Sequence, residues 1–496
     1  MNFTILSSRQ FRCFAHYLLQ MSSTDAFVPL RVAFVHPDLG IGGAERLVVD
    51  AAVGLQDLGH TVVMYTSHHD PAHCFEETRD GTLTVRVGGN TIVPRTLLGR
   101  FYIICAILRN LHLALTILLY NNSLPEQEKF NVIIIDQLSV SIPLLRWTDA
   151  KILFYCHFPD KLLSKRDSLL KKIYRLPVDL VEELTTGMAD TIVVNSKFTA
   201  NIFKESFKLL RQSPDVLYPS IQFDKFDRTV DMSLPEVQVL RADDKITFLS
   251  INRYEEKKDI DLALHAFARL LQPEDGDSKP DDYVDLGSSR RLRLVIAGGY
   301  DVRVQENVDC HLKLNRIAQE KYGLRTFTLK SGQNDIPVPD DTQVLFLQSI
   351  SDVQKLYLLQ TARALLYTPT NEHFGIVPVE AMYMKRPVVA VNSGGPTESI
   401  LDGKTGYLVA SSPEIWAATL KTLLGKSAQE LQDMGETGHD RVVSMFSLIA
   451  FVSKLNGLLV HLRQDALGSK LNPPFLRQLV LFTLSVIVLA ILYHRY

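Results

Sequence analysis

Cysteine is scarce in this chain and never arranged for use. Cys13, Cys74, Cys105, Cys156 and Cys310 are scattered, odd in number and without a C-x-x-C spacing, so neither a disulfide framework nor a zinc site is indicated, and a reducing compartment fits best. Charge of one sign is equally lacking. Lys and Arg number 53 against 55 Asp and Glu, a net charge of −2, and with no long basic run nucleic acid is not expected as a partner. Residues 1–27 have no clean apolar core segment and no small-residue cleavage site, so a secretory signal is not expected. The triplets Asn2-Phe3-Thr4 and Asn121-Asn122-Ser123 match the glycosylation sequon, a match that arises often by chance and matters only in a lumenal segment. What remains is an ordinary globular composition, 46% hydrophobic and 22% charged over 496 residues, long enough for two or three domains.

The pattern along the chain is α/β alternation. Leu30–Val35 reads as a buried strand, followed by His36-Pro37-Asp38-Leu39-Gly40-Ile41-Gly42-Gly43-Ala44-Glu45-Arg46 and a helix to about Leu58. A strand, glycine turn and helix start let the backbone approach a phosphate closely and aim N–H donors at it. G-I-G-G is not the dinucleotide fingerprint, because Glu45 stands where its third glycine would be; a simple tight turn is the alternative. Further strands are expected at His60–Thr66, Leu83–Val87, Asn131–Ile135, Lys151–Cys156 and Thr191–Asn195. His157 follows a strand's carboxyl end, where open sheets place ligands, although lone histidines are more often structural.

A second α/β run begins at Lys245–Ile251 and leads into Asn252-Arg253-Tyr254-Glu255-Glu256-Lys257-Lys258-Asp259-Ile260. Arginine offers a two-pronged donor and lysine a point charge, which together suit a diphosphate. Asp259-Ile260-Asp261 forms a D-x-D, but its place at a helix start makes capping the better reading than metal ligation; no metal site is evident. Residues 272–291 read as a surface insertion. Strands follow at Leu292–Ala297, before Gly298-Gly299, and at Gln343–Leu347, before a helix opening at Ile350.

The second half is organised around Thr368–Ala381, T-P-T-N-E-H-F-G-I-V-P-V-E-A, with Glu372 and Glu380 eight positions apart. It follows the strand Ala364–Tyr367. The polar N-E-H-F-G run predicts a loop and Val379–Met384 a helix, with Pro378 in its first turn. The amides of Phe374, Gly375 and Ile376 can then bond sugar hydroxyls or a phosphate, and a carboxylate in the helix start can take a ribose diol. Strand Val388–Val391 and the turn Asn392-Ser393-Gly394-Gly395-Pro396-Thr397-Glu398 follow.

E-H-F-G-I-V-P-V-E-A-M resembles the E-x7-E element of the retaining, nucleotide-sugar-dependent glycosyltransferases of family 4. Their other parts occur in order over about residues 30–460: H-P-D-L-G-I-G-G-A-E-R, Y-C-H-F-P and R-x4-K. The resemblance implies an α/β fold of the GT-B type, with two facing Rossmann-like domains. It assigns Gly42 and Gly43 to close approach of the donor diphosphate and His157 to the donor sugar. Arg253 and Lys258 neutralise the leaving diphosphate, Glu372 orients the sugar, and Glu380 holds ribose. Lys257 stays open as the alternative lysine, because the family's following glycine is Asp259 here. Longer matches resemble the eukaryotic branch that extends dolichol-pyrophosphate-linked chitobiose with α-1,3- and α-1,6-linked mannose from GDP-mannose, on the cytosolic face of the endoplasmic reticulum membrane. That implies no required cofactor, magnesium at most assisting GDP, and other mannosyltransferases of the pathway as candidate partners. The alternatives are the related α-1,2-mannosyltransferase and a membrane-tethered, non-catalytic scaffold of a glycosylation complex.

Two apolar stretches bear on the membrane. Leu97–Tyr120 is long enough to span one but is interrupted by Arg100, Arg109, Asn110 and His112; an interfacial helix and a buried helix are both compatible with it. Leu479–Tyr493 is a fifteen-residue run without charge, short for a span of about 20 residues, and reads as a tail anchor or a dipping helix. The expected organisation is an extension at 1–27, a first domain at 28–220, a linker at 221–244, a second domain at 245–440, a crossover helix and tail linker at 441–478, and the membrane segment at 479–493.

Overall fold

The structure is a computed structural model. It describes residues 28–94, 96, 102–163, 169–242, 244–271, 291–334 and 336–464; the expected insertion and both terminal segments lie outside these, apart from Arg291. The chain divides into two units, one formed by the N-terminal part to Ser220 together with the stretch from Leu448, the other by Ile221–Ser447.

In the first unit the strands are β1 (Arg31–His36), β2 (Thr61–Thr66), β3 (Thr84–Val87), β4 (Val132–Asp136), β5 (Lys151–Cys156), β6 (Thr191–Val194) and β7 (Asp215–Val216). They form one sheet in the order β3-β2-β1-β4-β5-β6-β7, with every pairing parallel. A parallel sheet is covered on both faces, which is why Val132–Asp136 is buried at every residue rather than alternating. Helix α1 (Gly43–Asp57) presents Leu47, Val48, Ala51 and Leu55 at helical spacing to one face of the core.

Helix α2 (Tyr102–Ser123) settles into the other face. Leu113, Ala114 and Ile117 are fully buried with Ile133 and Ile135. Of the polar residues that interrupt this stretch, Arg109 and Asn110 are buried, and Arg109 donates to the Ser67 carbonyl; Asn121, just past it, donates to the Thr148 carbonyl while accepting from the Phe130 N–H. Asn121 is 0% exposed, so its sequon is no modification site in this fold. By length and composition α2 is the one helix among the described residues that could cross a membrane, but 44% of that window is buried; Ile103, Leu115 and Leu119 remain exposed. Helix α3 (Leu169–Thr186) follows β5.

The second unit repeats the plan with β8 (Ile246–Ile251), β9 (Leu292–Gly298), β10 (Thr326–Lys330), β11 (Val344–Gln348), β12 (Ala364–Tyr367), β13 (Val388–Val391) and β14 (Gly406–Val409), ordered β10-β11-β9-β8-β12-β13-β14. Its helices include α4 (Ile260–Leu271), α5 (Asp352–Thr361), α6 (Ile376–Tyr383) and α7 (Ala428–Met445). Strands β10 and β14, absent from the sequence reading, are the two edges of this sheet.

The described residues of 221–244, read above as a linker, are folded into the second unit. Phe223 stacks on Tyr383 of α6 with ring centroids 4.2 Å apart, Val237 and Leu240 are buried, and Glu236 accepts from Ser351 Oγ at 2.6 Å. The final described helix, α8 (Leu448–Gln464), belongs to the first unit. Its Val452 fills the space beside Gly54 of α1, where a Cβ would lie 2.2 Å from Val452 Cγ2.

Candidate functional site

In each sheet the chain crosses from one side of its first strand to the other, between β1 and β4 and between β8 and β12. Open α/β sheets bind ligands beyond the carboxyl ends of strands at such switch points. Gly42 and Gly43 follow β1, Arg253, Lys257 and Lys258 follow β8, and Glu372 and Phe374–Ile376 follow β12; His157 follows β5, the strand beside β4, and Glu380 lies within α6.

In the second unit the β8 loop is tied to the β12 loop by Thr368 Oγ1, which donates to the Lys258 carbonyl at 2.7 Å. Lys258 Nζ donates to Glu372 Oε2 at 2.5 Å. Burial would raise the Glu372 carboxyl, but the Lys258 charge and hydrogen bond, helped by Tyr367, hold it below its ordinary range. Lys257 points elsewhere: its side chain is 67% exposed and lies 3.1 Å from Glu255, which Arg253, 65% exposed, shares at 3.2 Å. Of the two lysines, Lys258 is therefore the one fixed at the carboxylate loop. Asp259 adopts φ +49°, the left-handed region that glycine enters without strain, which accounts for a glycine being the family's choice after the lysine. The Asp259 carboxylate lies 3.4 Å from Ser411 Oγ. What Asp259 gives α4 is its backbone carbonyl, accepting from the Leu262 N–H at 3.1 Å.

Glycines shape the carboxylate loop. Gly375 caps α6 with φ +83°, and a Cβ there would meet Tyr367 Cε1 at 3.2 Å. The turn after β13 lies against the loop so closely that a Cβ on Gly394 would be 2.5 Å from the Glu372 carbonyl oxygen, and one on Gly395 2.3 Å from Phe374 Cα. The Gly395 N–H donates to the Glu372 carbonyl at 2.7 Å. The Gly394-Gly395 turn thus serves by holding Glu372–Phe374 in place. The amides of Phe374, Gly375 and Ile376 fall at the start of α6, where helix N–H groups lack intrahelical acceptors.

Glu380 lies in the second turn of α6 and is 9% exposed. Its partner was missed in the sequence: Lys355 Nζ of α5 lies 2.6 Å from Glu380 Oε2. The available signal was chemical, since a buried carboxylate needs a counter-charge. Lys355 is placed by a capping box at the start of α5, with Ser351 accepting from the Gln354 N–H and Gln354 accepting from the Ser351 N–H.

In the first unit Gly42 is the N-cap of α1 with extended φ and ψ, and Glu45 sits in the first turn. The Glu45 carboxylate folds back over Gly42, where a Cβ would lie 2.3 Å from Oε2; a Cβ on Gly43 would meet no protein atom within 4 Å. His157, 23% exposed, comes within 3.1 Å of Asp136 Oδ2 through Nε2. Its carbonyl accepts from Asn195 Nδ2 at 3.0 Å. The segment after it is anchored where the Asp160 and Lys161 N–H groups donate to the two oxygens of Glu182 at 2.7 and 2.9 Å. Among the described residues no group of three or more His, Cys, Asp or Glu side chains is arranged to hold a metal ion.

Two switch points, a lysine paired with a loop carboxylate and a buried carboxylate on the next helix define a ligand-binding α/β protein of the doubly wound class. Two family models agree in class: Glycosyltransferase Family 4 matches residues 41–225 and Glycosyl transferases group 1 matches residues 236–441. Sucrose-phosphate synthase of Thermosynechococcus elongatus, with TM-score 0.63 and 17% identity over 88% of this chain and 100% of that one, shares the GT-B fold. So does a glycosyltransferase of Rickettsia africae, with TM-score 0.62 and 18% identity over 88% and 100%.

The chain belongs to the α-1,3/1,6-mannosyltransferase family. It is 52% identical to the α-1,3/1,6-mannosyltransferase ALG2 of Rhizomucor pusillus over 434 residues, covering 87% of this chain and 92% of that protein. The human protein of the same name is 46% identical over 429 residues, covering 86% and 94%.

Proposed function

We propose that this chain transfers mannose from GDP-mannose, with retention of anomeric configuration, to a dolichol-pyrophosphate-linked chitobiose that already carries one mannose. It adds α-1,3- and α-1,6-linked mannoses at the cytosolic face of the endoplasmic reticulum membrane. The observation that carries the reading is the Lys258–Glu372 pair across the β8/β12 switch point. The relatives, mannosyltransferases by name, support the sugar and the linkages.

In this reading the donor diphosphate competes with Glu372 for Lys258. Binding exchanges one anion for another at the ammonium, which releases the Glu372 carboxylate to accept from sugar hydroxyls. Arg253, exposed and held by a single carboxylate, swings to the same phosphates. As the bond to the anomeric carbon breaks, negative charge grows on GDP, and these fixed cations stabilise it more than they stabilise the intact donor. Glu380, with Lys355 behind it, offers its carboxylate to the ribose diol. The amides at the start of α6 take sugar or phosphate oxygens. Gly43, with open space around it, leaves room for a phosphate to approach the backbone, and His157 is assigned to the transferred sugar. The departing phosphate takes the acceptor's proton, so no protein base is required; magnesium assists GDP without being required.

The test is transfer from GDP-mannose to a synthetic lipid-pyrophosphate chitobiose carrying one β-mannose, by the full chain reconstituted in membranes. Two successive additions are expected, cut on the order of 10²-fold or more by Lys258→Ala. Absence of transfer by well-folded reconstituted protein would overturn the reading.

A further inference from the structure

The first unit contains a buried polar line that the proposed mechanism does not use. His36 ends β1 and is 1% exposed; Asp136 ends β4, the neighbour across the switch point, and is 2% exposed. His36 Nδ1 lies 2.7 and 2.9 Å from the two oxygens of Asp136. On its other side, His36 Nε2 is 3.7 Å from Glu45 Oε1. Asp136 Oδ2 in turn meets His157 Nε2 at 3.1 Å. Four residues from β1, α1, β4 and the end of β5 therefore run Glu45, His36, Asp136, His157.

We propose that His36 and Asp136, backed by Glu45, are positioning residues that fix the ring orientation and tautomer of His157. The inference rests on the assignment of His157 to the transferred sugar. A carboxylate only accepts hydrogen bonds, so Asp136 requires the hydrogen of His157 to be on Nε2 and leaves Nδ1 as the ring's other functional atom. That demand holds only while Asp136 is ionised. An unpaired carboxylate this deeply buried would take up a proton and could then donate to the ring instead. His36 prevents this. Burial alone would strip its proton, but the charge and hydrogen bond of Asp136, with Glu45 beyond, raise its pKa to about 10. Asp136 is correspondingly held below the ordinary carboxylate range against its own burial, chiefly by His36 and His157.

The surroundings sharpen the effect. Asp136 borders an apolar pocket lined by Phe34, Val48, Ile134 and Tyr155, where charges interact strongly. The ring of Tyr155 also backs His157, with centroids 4.7 Å apart. Nothing in packing demands this arrangement, since apolar side chains of similar volume stabilise a core at least as well as a buried ion pair. Glu45 adds a coupling: it sits in the first turn of the helix that the glycine loop opens, so the loop and the His157 ring share one chain of contacts.

The test compares the full, membrane-reconstituted chain with Asp136→Asn, His36→Asn, His36→Phe, Glu45→Gln and His157→Ala. It measures kcat and KM for GDP-mannose, and locates the His157 ring proton by ¹⁵N NMR, assigned by difference from His157→Ala. Asp136→Asn can donate to the ring; it is expected to move the proton to Nδ1 and lower kcat on the order of 10²-fold, with KM changed by less than about threefold. His36→Asn keeps a donor at the Nδ1 position but not the charge and is expected to lower kcat less than His36→Phe, which keeps neither. Glu45→Gln, on a part-exposed side chain, is expected to lower kcat several-fold without loss of folding, so the proposal is tested even if His36→Phe does not fold. A proton that stays on Nε2 in Asp136→Asn, or parental kcat in both Asp136→Asn and Glu45→Gln, would overturn it. Parental kcat in His157→Ala would instead sink the assignment of His157 to the sugar, and the NMR result would still decide whether the line sets the tautomer.

Discussion

Lys355 on α5 and Glu380 on α6 form an ion pair, Nζ to Oε2 at 2.6 Å, with the lysine 26% and the glutamate 11% exposed at the side chain. The pair joins the helices that follow β11 and β12. It holds one carboxylate of the E-x7-E element in a fixed direction before any ligand arrives. Replacing Lys355 by Met should leave that charge without its partner. The expected cost is about 1–3 kcal/mol, below that of a fully buried pair because the lysine is partly in water, together with a raised KM for GDP-mannose. Adding Glu380→Gln should recover much of the stability but not the KM. Urea unfolding and initial rates on the two variants check this, and a double variant no more stable than Lys355→Met would show that the charge is not the issue.

Neighbouring lysines offer an internal control. Lys258 is 15% exposed and bound to Glu372, whereas Lys257 is 67% exposed and faces Glu255. Lys258→Ala should lower kcat on the order of 10²-fold or more, and Lys257→Ala by less than about threefold, since an exposed ion pair contributes little. Reversed sensitivities in the transfer assay would move the diphosphate role to Lys257.

The loops that carry this chemistry were legible in the sequence because local pattern marks them: a fully buried strand, then polar or glycine-rich residues, then a helix. What connects the loops was not. Asp136 lies 100 positions from His36, and the two meet because β1 pairs with β4 in the register Val35↔Ile135, a relation that no local pattern encodes. Lys355 was read only as part of a helix, its partner being 25 positions away on the next one. Strands β10 and β14 escaped for a different reason: as sheet edges they are only partly buried, so β10, T-F-T-L-K, mixes polar with apolar residues, and β14, G-Y-L-V, offers a run of only three apolar side chains. Residues 221–244 look irregular and polar enough for a linker, yet Phe223, Val237 and Leu240 find apolar contacts that only the folded second unit supplies.

The glycine turn after β13 should be intolerant of any side chain. At Gly395 a Cβ would sit 2.3 Å from backbone Cα of Phe374, and backbone cannot rotate out of the way. Gly395→Ala is expected to cost about 2 kcal/mol or more and to displace the Glu372 loop, so that activity at a temperature where the protein is folded still falls at least tenfold. Gly403 makes the comparison, with φ +72° but nothing within 4 Å of its Cβ. Gly403→Ala should cost only the left-handed strain, about 1 kcal/mol, and leave activity unchanged. Thermal unfolding with parallel rate measurements separates the two effects.

The His36–Asp136 pair also sets how stability responds to alkali. The His36 pKa in the folded chain is about 10 against an ordinary value of 6.5, so its stabilising contribution is complete below pH 6.5 and disappears as pH rises towards 10. Asp136, with a lowered pKa, acts in the opposite window, losing its contribution as pH falls below the ordinary carboxylate range. Between pH 7 and 9 the folded chain keeps a proton that the unfolded chain has released, and stability should decline by at most ~1.4 kcal/mol per pH unit from this group. Glu182, raised to about 7, makes its change mostly below that interval and is common to parent and variant. Subtracting the pH dependence of His36→Asn from that of the parent therefore isolates His36. Urea midpoints for the two chains at pH 7, 8 and 9 should diverge most at pH 7 and converge towards pH 9, whereas a constant separation would mean that His36 is neutral in the folded protein.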